Sequence, residues 1–363
     1  MNDLTHRIAG LIRPEIQTLA AYHVPDSSGY IKLDAMENPY DWPPEIVHEW
    51  LAELAGAKPN RYPDARAHAL KQAIRQAHQV PDSAELLLGN GSDEIIQIIL
   101  MAVAGTGVTV MAPEPTFVMY RQISRCLGLD FTGVPLRADF SLDRAAMHAA
   151  IETHRPAVIF LAYPNNPTGN RFSLDEVLDI VQRAPGLVVV DEAYAPFASH
   201  SCLPLVDQYP ALVVMRTLSK LGLAGLRLGY LAARPEWIEP FEKVRLPYNI
   251  NVLTQLTAAF ILRHPAFLEQ QVQAILAERS RLHAALSALD DDLAVYPSEA
   301  NFILFRLKRV DAGVVHQRLK AKGILIKNLD QAGAALAGCL RVTVGTPTEN
   351  TGFLEALADA LAA

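Results

Sequence analysis

Residues 212–220, LVVMRTLSK, place a lysine shortly after an apolar run rich in β-branched residues. Such a run predicts a strand covered on both faces, because the strands of a parallel sheet read as nearly continuous apolar segments. Further candidate strands of the same kind are Val108–Met111, Ala157–Leu161, Leu187–Val190 and Leu228–Ala232. Helical patterns lie between them, for example at Leu174–Arg183, where Ser173 and Glu176 form a capping-box pattern. The alternation predicts an α/β fold with a mostly parallel sheet flanked by helices.

The pattern changes near Pro247, and the C-terminal third predicts a smaller α+β domain. Its candidate elements are helices at Leu253–Arg263, Ala266–Leu289 and Val314–Lys322 and strands at Phe302–Leu307, Leu325–Lys327 and Leu340–Val344. We expect an N-terminal arm (residues 1–45) that packs with the small domain, a large domain (residues 46–265) and the small domain itself (residues 266–363).

Composition narrows the class of protein. With 363 residues the chain can hold two full-sized domains. The net charge is −7, from 32 basic and 39 acidic residues. The basic residues form no runs, which argues against nucleic-acid binding. Three distant cysteines (Cys126, Cys202 and Cys339) favour reduced thiols over a disulfide framework or a metal site. The chain shows neither a signal-peptide pattern nor a membrane-spanning apolar run, which predicts a cytoplasmic protein.

Polar residues follow the candidate strands, at the edge where open α/β sheets bind ligands. Lys220 comes after one strand in a segment that also contains Thr217, Ser219 and Arg227, all suitable for binding a phosphate. Glycines between Lys220 and Arg227 would let the backbone approach an anion closely. A surface lysine on a turn is the alternative interpretation of this segment.

Two further signals follow neighbouring candidate strands. Asp191 stands at the tip of an apolar strand, where a carboxylate must find a cation or hydrogen-bond donors, and Tyr194 follows it closely. Asn166, in YPNNPTG (residues 163–169), precedes a proline, so its backbone is kept out of the helical region and its side chain can enter a site. A helix N-cap and an Asx-turn are the respective alternatives.

The segment LGNGSDE (residues 88–94) leads into an apolar helix. Free N–H groups and the helix dipole make such a helix start an anion site, although a capping box would look similar. Together the four signals provide phosphate donors, a carboxylate, ring-oxygen donors and an amine. That set of groups fits pyridoxal phosphate.

In the same order, GNGSDE, PNNPTG, DEAY and SK followed by GLRLG resemble the motifs of fold-type-I aminotransferases, over essentially the whole chain. The segments MENPY (36–40), RYPD (61–64), PTFVMY (115–120) and LRVTVGT (340–346) more narrowly resemble the histidinol-phosphate aminotransferases. This resemblance implies a homodimer of two-domain subunits with active sites at the subunit interface.

The resemblance also implies roles for individual residues. Lys220 would bind the cofactor as a Schiff base and later move a proton, and Asp191 would pair with the pyridine nitrogen. Tyr194 and Asn166 would hydrogen-bond the ring hydroxyl, and Phe117 would stack on the ring. The implied phosphate site consists of Gly91, Ser92, Asp93, Thr217, Ser219 and Arg227, with Tyr62 from the partner subunit.

At the substrate end, the resemblance implies that Arg341 binds the acidic tail of the substrate. Tyr22 and Lys327 would line the same end of the pocket, next to Asn166. Two positions depart from the family pattern, which often has asparagine at Met36 and arginine at Lys327. Lysine is a point charge where arginine offers a two-pronged donor, so the substrate phosphate would be held differently.

The expected reaction belongs to histidine biosynthesis and interconverts L-histidinol phosphate plus 2-oxoglutarate with imidazole-acetol phosphate plus L-glutamate. An aromatic or broad-specificity aminotransferase of the same fold is the main alternative, and a phosphothreonine-type decarboxylase is another. A non-catalytic effector-binding part of a transcription regulator would need a DNA-binding domain, whereas family-like segments fill the residues before the first cofactor motif.

Overall fold

The computed structural model of the chain describes residues 3–21 and 24–362. In this part of the chain the strands are β1 (Ile31–Leu33), β2 (Glu85–Asn90), β3 (Thr109–Glu114), β4 (Asp130–Pro135), β5 (Val158–Ala162), β6 (Leu187–Asp191), β7 (Leu212–Thr217), β8 (Leu228–Ala233), β9 (Leu293–Val295), β10 (Phe302–Leu307), β11 (Ile324–Asn328) and β12 (Cys339–Thr343). The α-helices of the same residues are α1 (Asp3–Leu11), α2 (Pro14–Gln17), α3 (Pro44–Leu54), α4 (His68–His78), α5 (Gly91–Val103), α6 (Met119–Leu127), α7 (Arg144–His154), α8 (Leu174–Arg183), α9 (Pro235–Val244), α10 (Val252–Ile261), α11 (Pro265–Leu289), α12 (Ala312–Ala321) and α13 (Pro347–Ala362). Within these described ranges, no helix is long and apolar enough to cross a membrane.

A seven-stranded sheet in the order β2-β8-β7-β6-β5-β3-β4 carries the site. Its neighbouring strands from β7 to β4 are parallel, as predicted. The expectation that β8 is also parallel was wrong, because β8 runs antiparallel to both β7 and β2. Only short helical turns lie in the connection of residues 218–227, and a parallel return would need a longer crossover.

The sheet is buried on both faces, as the apolar runs predict. Val188 and Val190 of β6 pack into one hydrophobic cluster, and Val189 packs into a second cluster on the opposite face. Helix α8 begins where the sequence predicts, since the Ser173 hydroxyl accepts from the Glu176 N–H and the Glu176 carboxylate accepts from the Ser173 N–H. The predicted α/β class with a mostly parallel sheet is confirmed.

A second sheet, of five strands, has the order β1-β11-β12-β10-β9. Strand β1 comes from the N-terminal segment and pairs in parallel with β11, whereas the other pairs are antiparallel. The sequence predicts β10, β11 and β12 but not the short strands β1 and β9. The domain boundaries at residues 45 and 265 stay a prediction.

Candidate active site

A cavity of about 410 Å³ lies at the carboxyl ends of β2, β5, β6 and β7. All four sequence signals meet there, because these strands point the same way and end at one edge of the sheet. The predicted site residues that line this cavity are Ser92, Asp93, Phe117, Asn166, Asp191, Tyr194, Thr217, Ser219, Lys220 and Arg227.

Lys220 lies in a short helical turn directly after β7, where it is half-buried and lines the cavity. Its Nζ atom donates a hydrogen bond of 3.1 Å to the Ala35 carbonyl and lies 6.0 Å from the centre of the Tyr194 ring. Burial, with a smaller contribution from the positive charge of Arg341, lowers the pKa of Lys220 to about 8. Roughly a tenth of this amine is therefore neutral at pH 7, far more than for a lysine with an ordinary pKa, and able to act as a nucleophile or base.

Asp191 ends β6 and is buried. Two neutral donors hold its carboxylate: the Tyr120 hydroxyl, 2.6 Å from Oδ2, and the Ala193 N–H, 3.1 Å from Oδ1. Burial raises the pKa of Asp191 to about 6. A cationic group entering the cavity would lower that pKa again, because an opposite charge favours the ionised form.

The start of α5 has the free donors that the predicted anion site requires. Helix α5 begins at Gly91, directly after β2, so the N–H groups of its first turn are free of intrahelical partners. Arg227 reaches this turn, with its Nη2 atom 3.2 Å from Asp93 Oδ2. A Cβ atom on Gly229 would lie 2.9 Å from the Ser92 nitrogen, so only glycine permits this close approach of the backbone.

Thr217 and Ser219 are buried beside this anion site. Their hydroxyl oxygens lie 2.8 Å apart, and the Ser219 N–H donates to Thr217 Oγ1. The two hydroxyls, the start of α5 and the Arg227 guanidinium provide donors suited to a phosphate group.

Asn166 connects this cavity to a larger one. Its Oδ1 atom accepts a hydrogen bond of 2.6 Å from Arg341 Nη1. The preceding residue, Asn165, instead holds the loop together through Thr116 and Thr168. One asparagine of YPNNPTG is therefore structural, and the other faces the site.

The second cavity, of about 1030 Å³, shares Met36, Phe117 and Asn166 with the first and is also lined by Lys327 and Arg341. Lys327 and Arg341 are directly paired residues on the antiparallel strands β11 and β12. Such pairs place their side chains within about 5 Å of each other at Cβ. Two cationic residues thus stand side by side at the substrate end predicted from the sequence.

The segment Asp34–Met36 has a role that the sequence analysis missed. The Asp34 carbonyl accepts from Arg341 Nη2 at 3.0 Å, and the Ala35 carbonyl accepts from Lys220. Met36 has a left-handed backbone with a φ of 53°, which few residue types adopt without strain. The asparagine that often stands there in the family tolerates this conformation well, which was the signal available in the sequence.

Two predicted site residues do not meet the others. Tyr62 is 80% exposed, lies outside both cavities of its own chain and stacks on Tyr248 with ring centres 4.4 Å apart. Tyr22 lies outside the described residues.

The arrangement fits pyridoxal phosphate on structural grounds. The anion site suits the phosphate, and Gly229 lets β8 pack closely against the start of α5, where that site lies. Asp191, held by neutral donors, suits a protonated ring nitrogen. Lys220 supplies an amine of lowered pKa in the same cavity.

Comparison with known proteins agrees with this geometry. Residues 28–357 match the family model for aminotransferase class I and II. The chain is 55% identical to histidinol-phosphate aminotransferase 2 of Nitrosococcus oceani, with 97% of each chain covered. It is 54% identical to histidinol-phosphate aminotransferase of Chromobacterium violaceum, covering 96% of this chain and 97% of the other.

A solved structure is similar over nearly its full length. It is histidinol-phosphate aminotransferase from Sinorhizobium meliloti in complex with pyridoxal-5'-phosphate, with a TM-score of 0.85 and 24% identity, covering 97% of this chain and 98% of that one. This likeness supports the fold, and the sequence matches extend it to the family. The chain belongs to the aminotransferase class I and II family and, within it, groups with the histidinol-phosphate aminotransferases.

Proposed function

We propose that the chain transfers an amino group reversibly between L-histidinol phosphate and 2-oxoglutarate, giving imidazole-acetol phosphate and L-glutamate. The names of the two curated relatives support this substrate. The observation that carries the proposal is the placement of Lys220 and Arg341. These two residues line adjoining cavities that share Asn166. The reactive amine of Lys220 and the anion-binding guanidinium of Arg341 therefore face one continuous space.

Pyridoxal phosphate would bind in the smaller cavity. Its phosphate would lie at the start of α5, against Thr217, Ser219 and Arg227, and Phe117 would cover one face of its ring. Tyr194 is buried, and burial raises its pKa well above the ordinary value, so its hydroxyl remains a donor for the ring oxygen beside Asn166.

When bound, pyridoxal phosphate supplies an electron sink for the carbon next to the amino group. Lys220 would bind the cofactor through Nζ and, once released by the substrate amine, move a proton to and from that carbon as a neutral base. Its lowered pKa suits both tasks, which the always-protonated guanidinium of an arginine could not perform. Asp191 would hold the proton on the ring nitrogen, where a unit charge pair at 4 Å is worth about 4 kcal/mol at an effective dielectric near 20.

Substrate selection would rest on Arg341 and Lys327. Arg341 can bind either the phosphate of histidinol phosphate or a carboxylate of glutamate, since a guanidinium pairs well with both anions. Lys327, beside it in register, adds a second positive charge for the doubly charged phosphate. Lys327 would therefore strengthen the binding of histidinol phosphate more than the binding of glutamate.

We also propose a cytoplasmic homodimer in which Tyr62 reaches the cofactor phosphate of the partner subunit. Tyr62 and Tyr248 stack on each other and are both exposed, and Leu246, two residues before Tyr248 in the chain, is 72% exposed. Asn249, which follows Tyr248 in the chain, donates a 2.9 Å hydrogen bond to Glu94 in the first turns of α5. The exposed tyrosines therefore lie near the proposed anion site. Mixing Tyr62→Ala and Lys220→Ala chains should restore part of the activity, because a mixed dimer contains one intact site. Monomeric protein in analytical ultracentrifugation would contradict this arrangement.

The reaction itself is tested by its two half-reactions. The purified protein should show a cofactor absorbance band that histidinol phosphate removes and 2-oxoglutarate restores. Borohydride should attach the cofactor permanently in the parent chain and in Lys322→Ala, a surface control, but not in Lys220→Ala. A higher kcat/KM for phenylalanine or tyrosine would favour the aromatic aminotransferase, and release of CO2 without an oxo acid would favour the decarboxylase.

A further inference from the structure

Tyr120 is a fully buried tyrosine whose hydroxyl points at the site. The hydroxyl donates a hydrogen bond of 2.6 Å to Asp191 Oδ2. Its ring stacks nearly parallel on Phe160, with centres 4.5 Å apart and planes 7° apart. These contacts fix the position of the hydroxyl and not just that of the ring.

The same ring also contacts the residue expected to cover the cofactor. Phe117 meets Tyr120 edge to face, with ring centres 5.5 Å apart. Tyr120 lies in the first turn of α6, and its carbonyl accepts from the Ser124 hydroxyl at 2.7 Å. One residue therefore supports both the ring-stacking phenylalanine and the buried carboxylate.

The charge balance at Asp191 depends on this hydrogen bond. Burial raises the pKa of Asp191, and the Tyr120 hydroxyl is the strongest influence in the opposite direction. Burial and the charge of Asp191 raise the pKa of Tyr120 well above the ordinary value, so the hydroxyl keeps its proton and remains a donor.

We propose that Tyr120 is a positioning residue: its hydroxyl holds Asp191 Oδ2 so that the carboxylate stays ionised and faces the ring nitrogen of pyridoxal phosphate. This inference rests on the proposed function, because it concerns the same cofactor. A hydrogen bond to a buried charged group is worth about a factor of ten or more in an equilibrium constant. Loss of the hydroxyl should therefore raise the proton affinity of Asp191 at least tenfold and draw the proton from the ring nitrogen.

The test uses Tyr120→Phe, which keeps the ring and removes one oxygen atom. Each holoenzyme is loaded with ¹⁵N-labelled pyridoxal phosphate, and the ring-nitrogen resonance is followed against pH. The resonance of the variant should lie closer to the unprotonated position at every pH at which the pair holds a proton, because transfer of that proton from the ring nitrogen to Asp191 is independent of pH and its ratio changes about tenfold. Affinity for the cofactor should fall roughly tenfold.

Tyr230→Phe is the matched control. Tyr230, on β8 of the large sheet, is also fully buried, but its hydroxyl is 2.7 Å from His78 Nδ1 and not bonded to Asp191. Its loss should lower the melting temperature without moving the nitrogen resonance. Adding Tyr120→Phe to an Asp191→Asn chain should change the resonance no further.

The outcomes separate this inference from the function on which it rests. A parent chain that binds no pyridoxal phosphate would overturn the proposed function. A parent that binds it, with the same nitrogen titration in Tyr120→Phe, would overturn the role of Tyr120 alone. The same is true if Tyr120→Phe shifts the resonance equally with and without Asp191, because the effect would then not pass through the carboxylate.

Discussion

Replacing Lys327 with methionine should separate the two substrates of the reaction, because it removes one charge and keeps the length of the side chain. Lys327 is half-buried and paired in register with Arg341, so an anion bound to Arg341 lies about 6 Å from its ammonium group. At that distance a unit charge pair is worth between about 0.7 and 2.8 kcal/mol, for effective dielectrics of 80 and 20. Partial exposure favours the lower part of this range, near 1 kcal/mol.

The magnitude then depends on the charge of the ligand. A phosphate near −2 loses about 2 kcal/mol and a carboxylate about 1 kcal/mol, so kcat/KM should fall about 30-fold for histidinol phosphate and about 5-fold for glutamate. The difference between the two losses in kcat/KM should become smaller at high salt, because salt screens interactions between exposed charges. Steady-state assays of both substrates at two ionic strengths measure this.

Lys322→Met is the control for this substitution. Lys322 pairs with Asp359 at 2.7 Å on the surface and lines neither cavity, so its loss should leave both substrates unaffected. Equal losses for the two substrates in Lys327→Met would refute the reasoning, since a charge-based preference must scale with ligand charge.

Three further predictions concern the cofactor cavity. The rate at which the apoenzyme binds pyridoxal phosphate covalently should reach half its maximum near pH 8, where Lys220 is half neutral, and level off about one pH unit higher. A rate still rising steeply near pH 10 would contradict the lowered pKa. Met36→Asn should raise the free energy of unfolding in urea by about 1 kcal/mol, because asparagine accepts the left-handed backbone more readily; an unchanged value would show that Met36 is not strained. Gly229→Ala should weaken binding of pyridoxal phosphate at least tenfold, as the added methyl would displace the backbone at Ser92, yet leave binding of unphosphorylated pyridoxal nearly unchanged; parallel losses for both ligands would argue against a phosphate site there.

The central strands of the large sheet could be predicted because strands buried on both faces are nearly continuous apolar runs. Strands such as β6, LVVVD, are apolar at every position before Asp191, a predicted site residue. The direction of β8 could not be predicted from its composition, since a strand buried on both faces is apolar whether it runs parallel or antiparallel to its neighbours. The edge strand β4, DFTGVP, was missed because its residues are mostly half-buried or exposed.

The site was predictable where one residue carries one function. Lys220, Asp191 and Asn166 each follow a strand, and the sheet brings them together. Tyr120 was different, because its importance lies in a hydroxyl that meets Asp191, 71 positions away in sequence. The carbonyls of Asp34 and Ala35 were not predictable either, since every residue type has a carbonyl group and only the fold aims it.

The pairing of β1 with β11 also sets the order in which the enzyme can become active. The two strands are roughly 290 residues apart in sequence, and β1 leads directly into the carbonyls that contact Lys220 and Arg341. During synthesis the large sheet can form while β1 is still unpaired, because the ribosome has not yet made β11. The segment around β1 is thus fixed late although it is made before the large sheet, and the active site is completed only after β11 has emerged.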